Sequence, residues 1–169
     1  ERITAPTGRG IAWEGTEIWA YRDRPAHIAQ LLATNVARWP EREAYVFHPG
    51  GQRLSWRQVG EQVQRVAARL RREHGLCKGD RLGLLMLGCP EYVIAYLATV
   101  SLGAIAVPVN LGLPAEGLAA QIDKVQAKLL VVSPDLWSAK LESVRPRLPS
   151  VQAVFMTDDQ AATGTLPFA

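Results

Sequence analysis

The chain has 169 residues, 48% of them hydrophobic and 21% charged, which suits one globular domain of ordinary size and excludes collagen-like, disordered and disulfide-scaffold classes. Its 19 basic residues stand against 16 acidic ones, a formal +3, and they are scattered rather than gathered into a stripe, so nucleic acid is not an expected partner. Cys77 and Cys89 form no CxxC, which fits neither a disulfide framework nor a zinc site and points to a reducing, cytoplasmic compartment.

Residues 1–26 carry Pro6, Gly8, Gly10, Gly15 and Pro25 with no sustained period, and Trp13, Trp19 and Tyr21 as apolar anchors, so an extended arm is expected there. Glu1 replaces an initiator Met, and no charged start precedes an apolar core with a small-residue cleavage site. A signal peptide is therefore not expected, and the chain reads as a piece of a longer protein.

Residues 27–169 read as one α/β unit. Ile28, Leu31, Leu32 and Val36 have helical spacing, and Pro40 follows a helix it could not continue. Residues 44–47 and 53–56 flank Pro49-Gly50-Gly51, where two glycines can supply the positive φ of a tight hairpin. Ser55 and Gln58 have capping-box spacing ahead of a long helix whose apolar face is Val59, Val63, Val66, Ala67 and Leu70, with Gly75 placed to end it. Four arginines of that helix, Arg57, Arg65, Arg71 and Arg72, read as a solvated face.

Beyond Gly79-Asp80, apolar runs begin near Leu82, Ala104, Lys128 and Val151, separated by 22, 24 and 23 residues. Helical stretches start between them near Pro90, Pro114 and Leu136, with two prolines placed for the first helical position. Uninterrupted runs such as Leu82–Leu87 and Leu129–Val132 suit strands covered on both faces, which predicts a parallel sheet and the α/β class. The uncharged stretch 92–115 is broken by Gly103 and Pro108. A helix of about 16 residues spans only about 24 Å, short of the roughly 30 Å hydrocarbon core, so a buried helix and a buried strand at 104–107 are expected, with no transmembrane segment.

Catalytic constellations are sparse. The sequence has no G-x-x-x-x-G-K-[ST] loop, no G-x-G-x-x-G after a strand, no G-x-S-x-G elbow and no H-E-x-x-H. His27, His48 and His74 read as surface or capping histidines, and the adjacent Asp158 and Asp159 as a solvated turn. No catalytic residue and no metal ligand is assigned.

Five groups occur in order: Leu54-Ser55-Trp56-Arg57-Gln58-Val59; Ala67-Ala68-Arg69-Leu70 with Gly75; Gly79-Asp80-Arg81-Leu82; Cys89-Pro90-Glu91-Tyr92; and Leu102-Gly103-Ala104-Ile105-Ala106-Val107-Pro108-Val109-Asn110. Together they resemble the N-terminal part of the AMP-forming acyl-CoA synthetases, within the adenylate-forming superfamily. With Pro114, Ala115, Glu116 and the Lys128–Val132 run, the match covers roughly residues 27–156. Gly88 stands where that family often has Asn.

The resemblance implies an N-terminal subdomain of an enzyme that activates a carboxylate, a fatty acid being favoured, with ATP and Mg²⁺ to an acyl-adenylate and then transfers the acyl group to coenzyme A. The segments that hold the phosphates and ribose in that family, and its C-terminal catalytic lysine, are absent. The chain alone is expected to be silent, to hold no cofactor, and to partner the remainder of the enzyme, with a homo-oligomer as a further possibility. By the same resemblance Val109, Asn110 and Leu111 lie near coenzyme A as backbone lining; Asn110 has the alternative of hydrogen-bonding only its own turn. The rival reading is a stand-alone, non-catalytic binding or assembly module that reuses the same α/β layer. A flavodoxin-like nucleotide binder is disfavoured by the missing phosphate loop.

Overall fold

The computed structural model describes residues 9–13, 15–19, 24–48, 50–158 and 163–168. Within the expected arm, β1 (Arg9–Trp13) and β2 (Thr16–Trp19) pair as a short antiparallel ribbon. The link 20–23, which includes Tyr21, lies outside the described residues, as do Pro49 and Asp159.

The unit that follows begins with α1 (Ile28–Arg38), where His27 is the N-cap and its Nδ1 accepts the Gln30 N–H at 3.1 Å. Next come β3 (Glu43–Val46) and β4 (Arg53–Ser55), an antiparallel hairpin in which Gly50 and Gly51 have φ of +112° and +64°. Helix α2 (Trp56–Arg72) starts from the capping box its sequence announces. Ser55 Oγ accepts the Gln58 N–H at 3.3 Å, and Gln58 Oε1 accepts the Ser55 N–H at 2.8 Å, satisfying two N–H groups the helix itself leaves open. All five apolar residues assigned to its face are buried. Gly75, at φ +60°, ends the run, and the Leu76 N–H turns back onto the Leu70 carbonyl at 3.0 Å.

The remaining strands form one all-parallel sheet ordered β6-β5-β7-β8-β9: β5 (Arg81–Leu85), β6 (Ile105–Pro108), β7 (Leu129–Val132), β8 (Ala153–Met156) and β9 (Leu166–Pro167). Helix α3 (Pro90–Ser101) connects β5 to β6, and α4 (Ala115–Lys124) connects β6 to β7. Alternation along the inner strands divides the core in two. Leu82, Leu84, Leu129, Val131 and Phe155 pack under α1, α2 and α3, whereas Leu85, Leu130, Val132, Val154 and Met156 pack under α4 and the segment after β7. A one-residue slip of β7 would exchange the two sets, so the Leu82–Leu129 to Leu85–Val132 register is fixed by packing on both faces.

Several expectations need correction. Strand β6 is an edge strand and is not buried: it pairs only with β5 among the described strands, and Ile105 is 50% exposed. Strand β5 stops at Leu85, and Leu87 is 75% exposed, because the chain leaves the sheet after Met86 to reach Pro90. Pro90 does occupy the first turn of α3, but Pro114 is the N-cap residue of α4, with extended backbone. The third helical stretch begins at Pro134 rather than near Leu136. It is no regular helix: one α-turn, α5 (Pro134–Leu136), runs into a π turn (Trp137–Leu141) and a 3₁₀ segment (Glu142–Arg147) holding Pro146. Nor is His74 a surface residue; its ring meets Phe155 edge-on at 4.8 Å.

Candidate functional site at the carboxyl edge of the sheet

In a parallel sheet every strand points the same way, so the loops that leave the strands gather at one edge, where α/β proteins collect ligands. Here that edge carries residues 86–89 after β5, 109–113 after β6, Ser133 after β7 and Thr157 after β8. The three residues expected to line a ligand all fall on it.

Val109 is the anchor of its loop. Its side chain is buried, and its N–H extends the β5–β6 ladder by donating to the Leu84 carbonyl at 3.1 Å. Asn110 is exposed and shapes the turn: Oδ1 accepts the Gly112 N–H at 3.0 Å, and the backbone carbonyl accepts the Leu113 N–H at 3.2 Å. It therefore bonds its own turn, the plainer of its two readings, while its Nδ2 keeps no protein partner among the described residues. Its N–H meets Gln121 Oε1 of α4 at 3.3 Å. Leu111 and Leu113 are half-buried against the core beneath α4.

One residue that sequence reasoning missed holds this loop in place. Lys140, in the π turn, donates from Nζ to the Leu111 carbonyl at 2.6 Å and to the Leu113 carbonyl at 3.1 Å. The contacts span 29 and 27 residues, and no motif announces them. The only signal in the sequence is a lone lysine four residues after Leu136, inside a stretch already read as helical.

Cys89, the N-cap residue of α3, faces the same edge. Burial pushes its thiol up to about 11, so it is protonated at neutral pH and poorly suited to act as a nucleophile. On the helix side of the edge, a cleft of about 250 Å³ is lined by Gln62, Arg65, Arg69, Glu91, Ile94 and Phe168, and Arg69 closes one wall by donating to the Pro167 and Phe168 carbonyls. A second, apolar cleft of about 350 Å³ lies among α1, the hairpin and α3. Among the described residues no cluster of His, Cys, Asp or Glu could hold a metal ion. Around the loop that leaves β6, the carboxyl edge thus offers exposed backbone and the Asn110 amide, with the Lys140 ammonium bound to the loop's own carbonyls.

The opposite edge is scaffold. Arg81 donates to the Val125 and Gln126 carbonyls at 2.7 Å each, closing the end of α4, and Asp80 joins Lys128 at 2.9 Å.

A sequence model of the family described as AMP-binding enzyme matches residues 32–168. The medium-chain acyl-CoA ligase ACSF2 of Homo sapiens, a mitochondrial protein, is 40% identical over 104 residues, covering 62% of this chain and 17% of that protein. The medium/long-chain-fatty-acid–CoA ligase FadD6 of Mycobacterium tuberculosis is 33% identical over 141 residues, covering 83% of this chain and 23% of its own length. Among solved structures, the anthranilate CoA ligase AuaEII in complex with anthranoyl-AMP superposes with a TM-score of 0.78 at 27% identity, over 86% of this chain and 28% of that one. The chain therefore spans about a quarter or less of the length of the curated relatives it matches.

Proposed function

The chain belongs to the AMP-binding enzyme family, and from that premise we propose that it is the N-terminal layer of an AMP-forming ligase that converts a fatty acid to its coenzyme A thioester. The observation that carries this reading is the similarity to a medium-chain acyl-CoA ligase and a medium/long-chain-fatty-acid–CoA ligase, together with the family match over residues 32–168. The complete protein would use ATP and Mg²⁺ to form an acyl-adenylate, and coenzyme A would displace AMP. This chain's part is positional. Residues 27–169 form the sheet layer, residues 1–26 precede it as a separate arm, and the phosphate-holding segments belong to the remainder of the protein, which is the chain's main partner. The chain alone is catalytically silent, and the cytoplasm is its proposed compartment. No helix among the described residues is long and apolar enough to cross a membrane.

Within this layer the loop Val109–Leu113 is the coenzyme A side, with Val109, Asn110 and Leu111 as its lining. Two features support the placement. The loop sits at the edge where parallel sheets receive ligands, and Asn110 and Gly112 are exposed there. The test is thioester formation by the complete protein with carboxylates of increasing chain length. Production of AMP and a fatty-acyl thioester is expected; adenylation of amino acids with no transfer to coenzyme A would replace this reading with a different ligase chemistry.

A further inference from the structure

We propose that Lys140 is a positioning residue for coenzyme A: its ammonium fixes the shape of the Val109–Leu113 loop, and with it the affinity for the thiol substrate, while adenylate formation proceeds without it. The inference rests on the reading of that loop as the coenzyme A side. Three observations carry it.

The first is the path of the contact. The loop leaves β6 and the π turn follows β7, and these strands flank β5 on either side. By reaching Leu111 and Leu113, Lys140 ties the two connections together beyond the carboxyl end of the strand between them. A single side chain thus spans the edge where a ligand would lie.

The second is the geometry of the segment that carries it. A π turn is rare in proteins and recurs at functional sites. Here Trp137 and Leu141 are buried at its two ends, at 3% and 0% exposure, and hold the turn to the core. Lys140 lies between these anchors, half-buried, so its ammonium is carried on a fixed base rather than on a free surface helix.

The third separates positioning from holding the fold together. The loop's attachment is already secured by buried Val109, by its ladder bond to Leu84, and by the side chains of Leu111 and Leu113 against the core. What Lys140 adds is the orientation of two carbonyls around the exposed Asn110-Leu111-Gly112 turn. Its removal should loosen that turn and leave the layer folded.

The experiment uses the complete ligase, with Lys140→Met and Lys140→Arg, and Leu111→Glu as the control for the loop. Lys140→Met should raise the KM for coenzyme A about tenfold, with carboxylate-dependent pyrophosphate exchange and the KM for ATP within about twofold of the parent. Lys140→Arg, which keeps charged N–H donors, should recover most of the loss. In the 169-residue chain itself, amide exchange at Gly112 and Leu113 should speed up in Lys140→Met while that of β5 and β7 does not. An equal fall of both half-reactions in Lys140→Met, an unchanged KM for coenzyme A, or unchanged amide exchange would overturn the proposal. If Leu111→Glu raises that KM and Lys140→Met does not, the role of Lys140 fails alone; if neither does, the placement of coenzyme A fails with it. Should Lys140→Met not fold, Lys140→Gln takes its place, judged by the same KM and exchange readings.

Discussion

Asp80 and Lys128 meet at 2.9 Å across the amino edge of the sheet, one residue ahead of β5 and of β7 respectively. Lys128 Nζ also donates to the Gly75 carbonyl at 2.6 Å, and Asp80 accepts the Cys77 N–H at 2.9 Å, so one ion pair joins the end of α2, the turn after it and two strand starts. The Lys128 ammonium, and after it the Cys77 N–H, hold the Asp80 carboxyl below the usual range. A depressed carboxylate contributes stability that is complete above its unfolded value, about 3.9, and that disappears as the pH falls through the lower folded value. Asp80→Asn should therefore cost about 1 kcal/mol at pH 7, a modest figure because both side chains keep some solvent. In urea titrations that difference should shrink below about pH 3; a difference equal at pH 7 and pH 2.5 would contradict the assignment.

Gly83 lies inside β5, with a partner strand on each side. A Cβ built there would come within 2.6 Å of Leu130 Cδ2, so the sheet closes over this position only because a side chain is missing. Leu130 can swing away from a methyl group but not from a branched residue without disturbing the core beneath α4. Gly83→Ala should cost about 1 kcal/mol and Gly83→Val about 2–3 kcal/mol, measured by chemical denaturation. Equal stability of Gly83→Val and the parent would show that this packing is looser than described.

The two cysteines differ in chemistry as well as in place. Cys77 is exposed, whereas burial pushes Cys89 up to about 11, which leaves roughly one Cys89 thiol in a thousand ionised at pH 8. Iodoacetamide should label Cys77 first in the native chain, and Cys89 only after denaturant is added. Peptide mapping that shows Cys89 alkylated as fast as Cys77 would mean the start of α3 opens readily.

The sheet presents two outer strands, β6 with half-exposed Ile105 and the two-residue β9 with Leu166 37% exposed, and α1 turns Ile28 and Leu31 toward solvent. Unpaired edges and apolar patches of this kind favour association. The 169-residue chain should form dimers or larger species as its concentration is raised in sedimentation velocity, and Ile105→Lys should reduce them. A monomer at every concentration would show that these edges are adequately protected by their own side chains.

The sequence made the fold legible wherever one local rule decided the outcome. The S-x-x-Q spacing at Ser55 and Gln58, the double glycine of the hairpin, and Pro90 at the start of α3 are local devices, and each is found as expected. The strands β5, β6, β7 and β8 fell where the apolar runs begin; β5, β7 and β8 are covered on both faces and need no partner pattern to be recognised. What stayed hidden depended on neighbours. That β6 lies at an edge follows from strand order, which hydrophobicity alone does not encode. No spacing signals the π turn, since Trp137 and Leu141 are four apart, as they would be on one face of an ordinary α-helix. At the site, the turn at Asn110 was readable from its residue type, whereas the Lys140 clamp joins residues 27 and 29 positions away and needed the fold to reveal it.

The most direct measurement of the central claim is carboxylate-dependent ATP–pyrophosphate exchange, run side by side on the 169-residue chain and on the complete protein. Adenylyl transfer needs donors aimed at the charge that develops on the phosphate, and the described residues offer none gathered for that purpose. The expected result is exchange by the complete protein with fatty acids as the carboxylate, and a blank with the chain alone. Robust exchange by the isolated chain, or none by the complete protein with any fatty acid, would contradict the proposed place of this chain as the positional layer of a fatty-acyl-CoA ligase.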